Sequence, residues 1–213
     1  MNVTVIDLGI GNLMSIIRGL EYCGAKVIVT SDSEAILNST HVVLPGDGAF
    51  KFAMEQIVRK GLLKILKNFN KSKSNLLGIC IGMQILFDES SEFERTEGLR
   101  LISGKVVPIL NKGTDGKKLT LPHIGWNSLC KSDNFKNWDK TLLEDNKIKD
   151  EVYFIHSFMA VPSNESYRVA DCVYGGHKIA AVVMKDNITG CQFHPEKSGE
   201  VGLKIIKKFI EKN

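Results

Sequence analysis

Hydrophobic residues in the first half of the chain fall into two alternating patterns. Short apolar runs, several rich in β-branched residues, predict buried strands. These runs cover residues 3–6, 26–30, 41–45 and 76–79. Between them, apolar residues recur at helical spacing after Asn12, near Ser33 and from about Ala49, with Gly61 interrupting the last stretch. Strands that alternate with helices predict βαβ units and a parallel sheet.

The second half of the chain has a different pattern, beginning after about Gly98. Strand-like segments follow one another with turn residues between them, which favours antiparallel pairing. They cover residues 105–110, 124–131, 151–161, 167–174 and 179–185. A strand at 189–193 and a helix from about Gly199 close the chain. We expect an α/β fold with a flavodoxin-like, mostly parallel sheet flanked by helices and an added antiparallel β layer in the C-terminal half, as a single domain over residues 1–213.

Three glycine-containing turns follow predicted parallel strands, at residues 7–12, 45–48 and 78–82. Because sites in such sheets gather at the carboxyl ends of the strands, we expect these turns to share one edge. Gly9 and Gly11 resemble part of a dinucleotide-binding fingerprint, but Met14 stands where the third glycine is needed. A strand-to-helix turn explains them without a ligand.

Composition narrows the class of protein. The 213 residues include 28 basic and 24 acidic side chains, which gives a net charge of +4. The charge is modest and the lysines are scattered along the chain, which argues against a nucleic-acid partner. Five cysteines without a Cys-x-x-Cys pair indicate a reducing compartment and neither a disulfide scaffold nor a metal site. The first residues enter a strand directly, without a signal-peptide pattern, and no apolar run approaches the ~20 residues of a membrane span. We expect a cytoplasmic protein without a membrane association.

The segment around Cys80 carries the first candidate chemistry. Gly78 and Gly82 flank Cys80 at two residues on either side, between a buried strand and a predicted helix. This is the nucleophile-elbow pattern with sulfur in place of the serine hydroxyl. A helix N-terminus also favours a thiolate. The alternative is an inert, buried cysteine at the end of a strand.

A histidine and a carboxylate near the C-terminus carry the second set of candidate catalytic groups. His194 and Glu196 follow the strand at 189–193, with Pro195 between them. A cysteine nucleophile needs a base and a third group that orients the imidazole, and these two residues supply both roles if the turn brings them to Cys80. Of the other histidines, only His156 lies at a plausible site edge, and we expect it to be a hydrogen-bonded, partly buried residue.

Together these motifs resemble the signature of class I (triad) glutamine amidotransferases. The wider pattern matches the family of glutaminase subunits of imidazole glycerol phosphate synthase, from the first strand to the last helix. The matching segments are Asp7-x-Gly9-x-x-Asn12-Leu13, Leu44-Pro45-Gly46-x-Gly48-Ala49-Phe50, Gly78-Ile79-Cys80-Ile81-Gly82-Met83-Gln84, Pro122-His123-x-Gly125-Trp126-Asn127, His156-Ser157 and Gln192-Phe193-His194-Pro195-Glu196-Lys197-Ser198-Gly199.

The resemblance implies a role for each matched position and no cofactor or metal. Cys80 attacks the carboxamide of glutamine, His194 relays protons, and Glu196 orients the His194 imidazole. The implied oxyanion hole comprises the N–H of Ile81 and a rearranging peptide among Gly46, Asp47 and Gly48. The implied glutamine-binding residues are Gly48, Gln84, Glu92, Ser157 and Phe158.

The resemblance also implies a partner. Ammonia passes to a (β/α)8-barrel cyclase subunit within a heterodimer, which makes imidazole glycerol phosphate and an aminoimidazole carboxamide ribotide in histidine biosynthesis. The face that meets the barrel would include Asn12, Pro122, His123, Trp126, Asn127 and Lys197.

Asp47 departs from the family pattern, which usually has a small apolar residue between the two glycines. A carboxylate near a developing oxyanion would oppose it. The simpler interpretation is that the Asp47 side chain points to solvent and only its backbone matters. The sharper hypothesis is a paralogue that supplies ammonia to a surface-sugar amidotransferase.

Two further alternatives remain at this point. One is a cysteine peptidase or related hydrolase on the same elbow, against which Gln84 and the segment Pro122–Asn127 argue. The other is a non-catalytic, flavodoxin-like binding module, which would lack triad geometry.

Overall fold

The computed structural model describes residues 1–212, which contain six α-helices and fourteen β-strands. The helices are α1 (Leu13–Tyr22), α2 (Ser33–Leu37), α3 (Phe50–Arg59), α4 (Leu63–Lys67), α5 (Ile81–Gln84) and α6 (Gly199–Glu211). The strands are β1 (Asn2–Ile6), β2 (Lys26–Thr30), β3 (His41–Leu44), β4 (Asn75–Ile79), β5 (Glu89–Ser90), β6 (Thr96–Glu97), β7 (Gly104–Pro108), β8 (His123–Ser128), β9 (Cys130–Lys131), β10 (Glu151–His156), β11 (Phe158–Pro162), β12 (Arg168–Tyr174), β13 (His177–Lys185) and β14 (Ile188–Cys191). Among these helices, none has the length and apolar character required to cross a bilayer.

One eight-stranded sheet organises the fold, in the order β2-β1-β3-β4-β14-β13-β12-β9. The first five strands run parallel, and the last three continue the sheet antiparallel. Side chains of the central parallel strands, such as Val5, Val43 and Leu77, are buried. The predicted α/β class, with a mostly parallel sheet flanked by helices, is confirmed.

The remaining strands form two small sheets beside the main one. A four-stranded sheet has the order β11-β7-β5-β6, and β10 pairs with β8 in a two-stranded ribbon. The segment predicted as one strand over 151–161 is divided at Ser157, because β10 joins the ribbon and β11 joins the other sheet. The antiparallel strands are therefore only partly a separate layer, since β9, β12 and β13 belong to the main sheet.

The three glycine-containing turns meet at one edge of the main sheet, as the pattern predicts. The backbone N–H of Asn12 donates to the Asp47 carboxylate at 3.0 Å, which joins the first turn to the second. The N–H of Ile81 donates to the Gly46 carbonyl at 3.3 Å, which joins the second turn to the third. The first turn also continues into helix α1 with Asn12 as its N-cap, its side chain accepting from the N–H of Ser15.

Two glycines allow the third turn to pack closely. A Cβ on Gly82 would lie 1.8 Å from the carbonyl oxygen of Leu44, and a Cβ on Gly78 would lie 2.6 Å from the carbonyl oxygen of Gly82. Both obstacles are backbone atoms, one at the end of β3 and one in α5, which a side-chain rotation cannot move. The elbow therefore requires glycine at both positions for steric reasons.

We expect Gly82→Ala to destabilise the chain strongly, because the added methyl group meets the Leu44 carbonyl. The loss in the free energy of unfolding should be about 3 kcal/mol or more, at the upper end of overpacking effects. Urea unfolding followed by circular dichroism measures it.

Gly61→Ala serves as the matched control. Gly61 also has a positive φ, of 71°, but no atom lies within 4 Å of its Cβ position. Only the left-handed backbone opposes alanine there, at a cost of about 1–2 kcal/mol. Equal losses in the two variants would contradict the steric account of the elbow.

Candidate active site

Cys80 lies at the sharp turn between β4 and α5, in a backbone conformation that L-residues rarely adopt. Its φ is 54° and its ψ is −112°, and its N–H donates to the carbonyl of Cys191 at 2.8 Å. Strain of this kind is typical of functional positions. Helix α5 is a single turn, so the helix dipole stabilises a thiolate here less than a long helix would. The sulfur nevertheless lines a pocket, so Cys80 is not sealed inside the core.

His194 and Glu196 extend from the end of the neighbouring strand β14 and form a hydrogen-bonded pair. His194 Nδ1 lies 2.8 Å from Glu196 Oε1, and both side chains are almost completely buried. The buried His194 Nε2 has no hydrogen-bond partner in the protein. A ring nitrogen of His194 and the sulfur of Cys80 lie within 4.8 Å of each other. The three residues thus form the sulfur, imidazole and carboxylate sequence that the motif predicts.

The pKa of His194 reflects this environment. Burial alone would lower it, but the neighbouring Cys80 sulfur and Glu196 carboxylate outweigh burial and raise the pKa of His194 to about 10. The imidazole is therefore held in its charged form at neutral pH, beside the sulfur. An adjacent imidazolium is one of the environments that activate a cysteine as a nucleophile.

Backbone contacts fix the turn that carries His194. Its N–H donates to the Tyr153 carbonyl at 2.9 Å, and the Ser198 hydroxyl donates to the His194 carbonyl at 2.6 Å. The Ser198 oxygen also accepts from the N–H of Tyr153 at 3.0 Å. Strand β10 and the start of α6 thereby hold His194 from two sides.

The candidate oxyanion donors lie beside Cys80, but one of them is engaged. The Ile81 N–H donates to the carbonyl of Gly46. An oxyanion would therefore have to displace that carbonyl, which requires the peptides of Gly46, Asp47 and Gly48 to move. Gly48, in this segment, has a φ of 90° and open space around its Cβ position.

The side chain of Asp47 lines the pocket, and the simpler interpretation that it points to solvent is wrong. Its Oδ2 accepts from the Asn12 N–H, and its Oδ1 lies 3.9 Å from His194 Nε2. The side chain is 41% exposed because it stands at the mouth of the pocket. The N–H of Asn12 and the imidazole together attract the carboxylate inward.

A pocket of about 360 Å³ opens above Cys80. All five residues predicted to bind glutamine line it, together with Cys80, His194 and Asp47. The predicted set is Gly48, Gln84, Glu92, Ser157 and Phe158. Glu92 Oε2 accepts from the Phe50 N–H at 2.6 Å, which orients the carboxylate at the start of α3.

Gln192 is a site residue that the sequence reasoning did not assign. It is fully buried, its Oε1 accepts from Gln84 Nε2 at 2.9 Å, and its Nε2 lies 3.9 Å from the Cys80 sulfur. Gln84 Nε2 also donates to the Phe158 carbonyl, whereas Gln84 Oε1 has no partner in the protein. A glutamine two positions before the histidine, directly after the end of β14, is the sequence signal that points to this residue.

His156 is buried and hydrogen-bonded, as expected, and it pairs with His123. His123 Nδ1 and His156 Nε2 lie 3.0 Å apart, and His156 Nδ1 lies 2.8 Å from the Phe158 carbonyl. Burial lowers the pKa of each histidine to about 4, so both are neutral at pH 7.

His123 also corrects one of the predicted partner contacts. Its side chain is 3% exposed and stacks on Phe154 and Tyr174, behind the β8–β10 ribbon, so it cannot meet a partner directly. Ile124, the next residue, is exposed on the outer face instead.

The outer face of the ribbon carries exposed apolar side chains next to the pocket. Ile124, Trp126 and Ile155 are 56%, 54% and 39% exposed, and Ile155 also lines the pocket. Of the other predicted partner contacts, Asn12, Pro122 and Lys197 are exposed, and Asn127 is half-buried. Pro122 and Lys197 line the same pocket mouth.

Comparison with known proteins places this geometry in a family. The family model described as "Glutamine amidotransferase class-I" matches residues 4–213. The chain is 44% identical over 210 residues to "Imidazole glycerol phosphate synthase subunit HisH 1" of Legionella pneumophila (strain Paris), covering 99% of each chain. It is 42% identical over 209 residues to "Imidazole glycerol phosphate synthase subunit HisH" of Caldanaerobacter subterraneus subsp. tengcongensis, covering 98% of this chain and 97% of that protein.

Solved structures agree on the fold. A crystal structure of a glutamine amidotransferase superposes with a TM-score of 0.72 at 16% identity, covering 98% of this chain and 97% of that chain. A glutamine amidotransferase from Thermotoga maritima superposes with a TM-score of 0.61 at 16% identity, covering 92% of this chain and 76% of that chain. The chain therefore belongs to the class-I glutamine amidotransferases and, within them, to the family of HisH subunits of imidazole glycerol phosphate synthase.

Proposed function

We propose that this protein is the glutaminase subunit of an imidazole glycerol phosphate synthase and that Cys80 is its nucleophile. The observation that carries the proposal is the continuous arrangement of the Cys80 sulfur, the His194 imidazole and the Glu196 carboxylate at the floor of a pocket. A binding module would not need a buried, charged histidine beside a thiol that lines a pocket. The whole chain then acts as one amidotransferase domain.

In the proposed reaction, the Cys80 thiolate attacks the side-chain carboxamide carbon of glutamine. His194 gives a proton to the departing nitrogen, so that ammonia leaves and a thioester remains. His194 then accepts a proton from water, which attacks the thioester and releases glutamate. Glu196 holds the imidazole in orientation through its bond to Nδ1.

The oxyanion of each tetrahedral intermediate needs backbone donors, and the Ile81 N–H is the first of them. Because the Gly46 carbonyl occupies that N–H in the structure, full activity would require the segment 46–48 to rearrange. We propose that the partner subunit promotes this change. The pocket residues Glu92 and Gln84 would hold the amino-acid end and the carboxamide region of glutamine by charge and hydrogen bonds.

The proposed partner is a (β/α)8-barrel cyclase subunit that receives the ammonia. The apolar outer face of the β8–β10 ribbon supports it, because exposed Ile and Trp side chains in one patch mark an interaction surface. The patch adjoins the pocket that would release ammonia. The five cysteines are all free thiols, in keeping with a proposed cytoplasmic location.

We expect Cys80→Ala to lower the rate of glutamine hydrolysis about a thousandfold or more, with the fold retained, because the covalent route is lost. Glutamate release, measured with the barrel subunit present, tests this. A diazo analogue of glutamine should label Cys80 in the unmodified protein, which separates a glutaminase from a peptidase. Cys23→Ala, away from the pocket, is the control, and substantial turnover by Cys80→Ala would overturn the nucleophile assignment.

The pKa of His194 predicts a pH-dependent stability. A histidine whose pKa rises from 6.5 to about 10 on folding stabilises the fold most below pH 6.5, and that stabilisation is lost as the pH rises towards 10. Glu196→Gln removes one source of the shift. The unmodified protein should therefore exceed the variant in stability most at pH 6 and least near pH 10.

Urea unfolding at several pH values measures this difference. Glu200→Gln, at an exposed position in the first turn of α6, is the matched control and should show no such trend. A stability difference that is constant from pH 6 to pH 10 would contradict the charged state assigned to His194.

Trp126→Ala should weaken binding to the barrel subunit about 30-fold, the equivalent of a 2 kcal/mol hot-spot residue. Titration calorimetry with the purified barrel subunit measures the dissociation constant. Tyr22→Ala removes an aromatic side chain that is 79% exposed at the far end of α1, and it should bind normally. Unchanged affinity in Trp126→Ala would exclude the ribbon as the docking face.

A further inference from the structure

Three potential metal ligands converge at the mouth of the pocket. The Cys80 sulfur, a ring nitrogen of His194 and a carboxylate oxygen of Asp47 all lie within 4.8 Å of one another. The carboxylate oxygen is 3.9 Å from His194 Nε2. That nitrogen is buried and has no hydrogen-bond partner in the protein, so it is left unsatisfied beside the other two groups.

This geometry is close to that of a tetrahedral zinc site. With bonds of about 2.0–2.3 Å to nitrogen, oxygen and sulfur, the ligand atoms of such a site lie roughly 3.3–3.7 Å apart. The observed separations exceed that range by roughly 1 Å at most. Rotation of the partly exposed Asp47 side chain can shorten the two separations that involve its carboxylate without moving the sheet.

The hydrogen-bond partners of His194 and Asp47 are of the kind that orients ligands in a zinc site. His194 Nδ1 is bonded to Glu196 Oε1 at 2.8 Å, which is the carboxylate–histidine arrangement that directs Nε2 towards a metal. Asp47 Oδ2 is held by the N–H of Asn12 at 3.0 Å, which leaves Oδ1 for coordination. Two of the three ligands are therefore already oriented by neighbouring residues.

We propose that Cys80, His194 and Asp47 form a reversible Zn²⁺ site that inhibits the glutaminase. As the ion binds, the Nε2 proton of the charged His194 imidazole is released to water, together with the sulfur proton where Cys80 is a thiol. The ion remains divalent, so no oxidant or reductant is needed. Water fills the fourth position. The bound ion occupies both the nucleophile and the base, which blocks attack on glutamine. The inhibitory consequence rests on the proposed function, whereas the metal site itself does not.

Asp47 distinguishes this site from any cysteine–histidine pair. Without a carboxylate at this position, the pocket offers the metal two side-chain ligands instead of three. A third, anionic ligand strengthens binding and also reduces the net charge of the bound ion. The proposal therefore predicts that zinc affinity depends on Asp47 and not only on the catalytic pair.

The experiment is equilibrium dialysis of the full chain against buffered Zn²⁺, followed by metal analysis. Unmodified protein should bind one ion per chain. Asp47→Asn preserves the size of the side chain and its acceptor for Asn12, and its affinity should fall at least about tenfold. Cys80→Ser should lose the site altogether. Asp115→Asn, in the exposed turn between β7 and β8, and Cys23→Ser are the matched controls and should bind as the unmodified protein does.

Glutamine hydrolysis at increasing Zn²⁺ gives a second readout. The rate of each protein is expressed relative to its own rate without Zn²⁺. The Zn²⁺ concentration that halves this rate should be at least about tenfold higher in Asp47→Asn than in the unmodified protein. Equal zinc affinity in Asp47→Asn and the unmodified protein, or equal binding by Cys80→Ser, would overturn the site. Site-specific binding in a protein without glutaminase activity would overturn the proposed function and leave the metal site standing.

Discussion

The close approach of backbone to backbone at the elbow is the constraint on which the candidate site depends. Gly78 and Gly82 let the turn around Cys80 pack directly onto the ends of β3 and β4. This packing holds Cys80 at a positive φ and directs its sulfur into the pocket. The surrounding sheet edge and the hydrogen bond from the Cys80 N–H to the Cys191 carbonyl hold this conformation.

The parallel sheet supplies the other half of the site. Strands β4 and β14 are hydrogen-bonded neighbours, although more than a hundred residues separate them along the chain. Their carboxyl ends bring Cys80 and His194 to the same edge, and the turn after β3 places Asp47 next to them. The charged state of His194 follows from this proximity, since burial alone would favour its neutral form.

Much of this arrangement could be predicted from the sequence. Buried apolar runs, glycine turns and the Asn12 cap locate the parallel strands and their shared edge, and the motifs locate Cys80, His194 and Glu196. The side-chain directions of Asp47 and His123 could not be predicted, because they depend on the Asn12 N–H and on Phe154 and Tyr174, which only the tertiary fold supplies. The break at Ser157 could not be predicted either, because both flanking segments have strand patterns. Only the tertiary fold shows that they pair with different strands.

Ile155 connects two surfaces that are usually considered separately. Its side chain belongs to the exposed apolar face of the ribbon, and its carbonyl oxygen lies 3.8 Å from the Cys80 sulfur. A protein bound to this face would therefore contact a residue whose carbonyl adjoins the proposed nucleophile. A small tilt of β10 would therefore change the exposed apolar face and the surroundings of the Cys80 sulfur together.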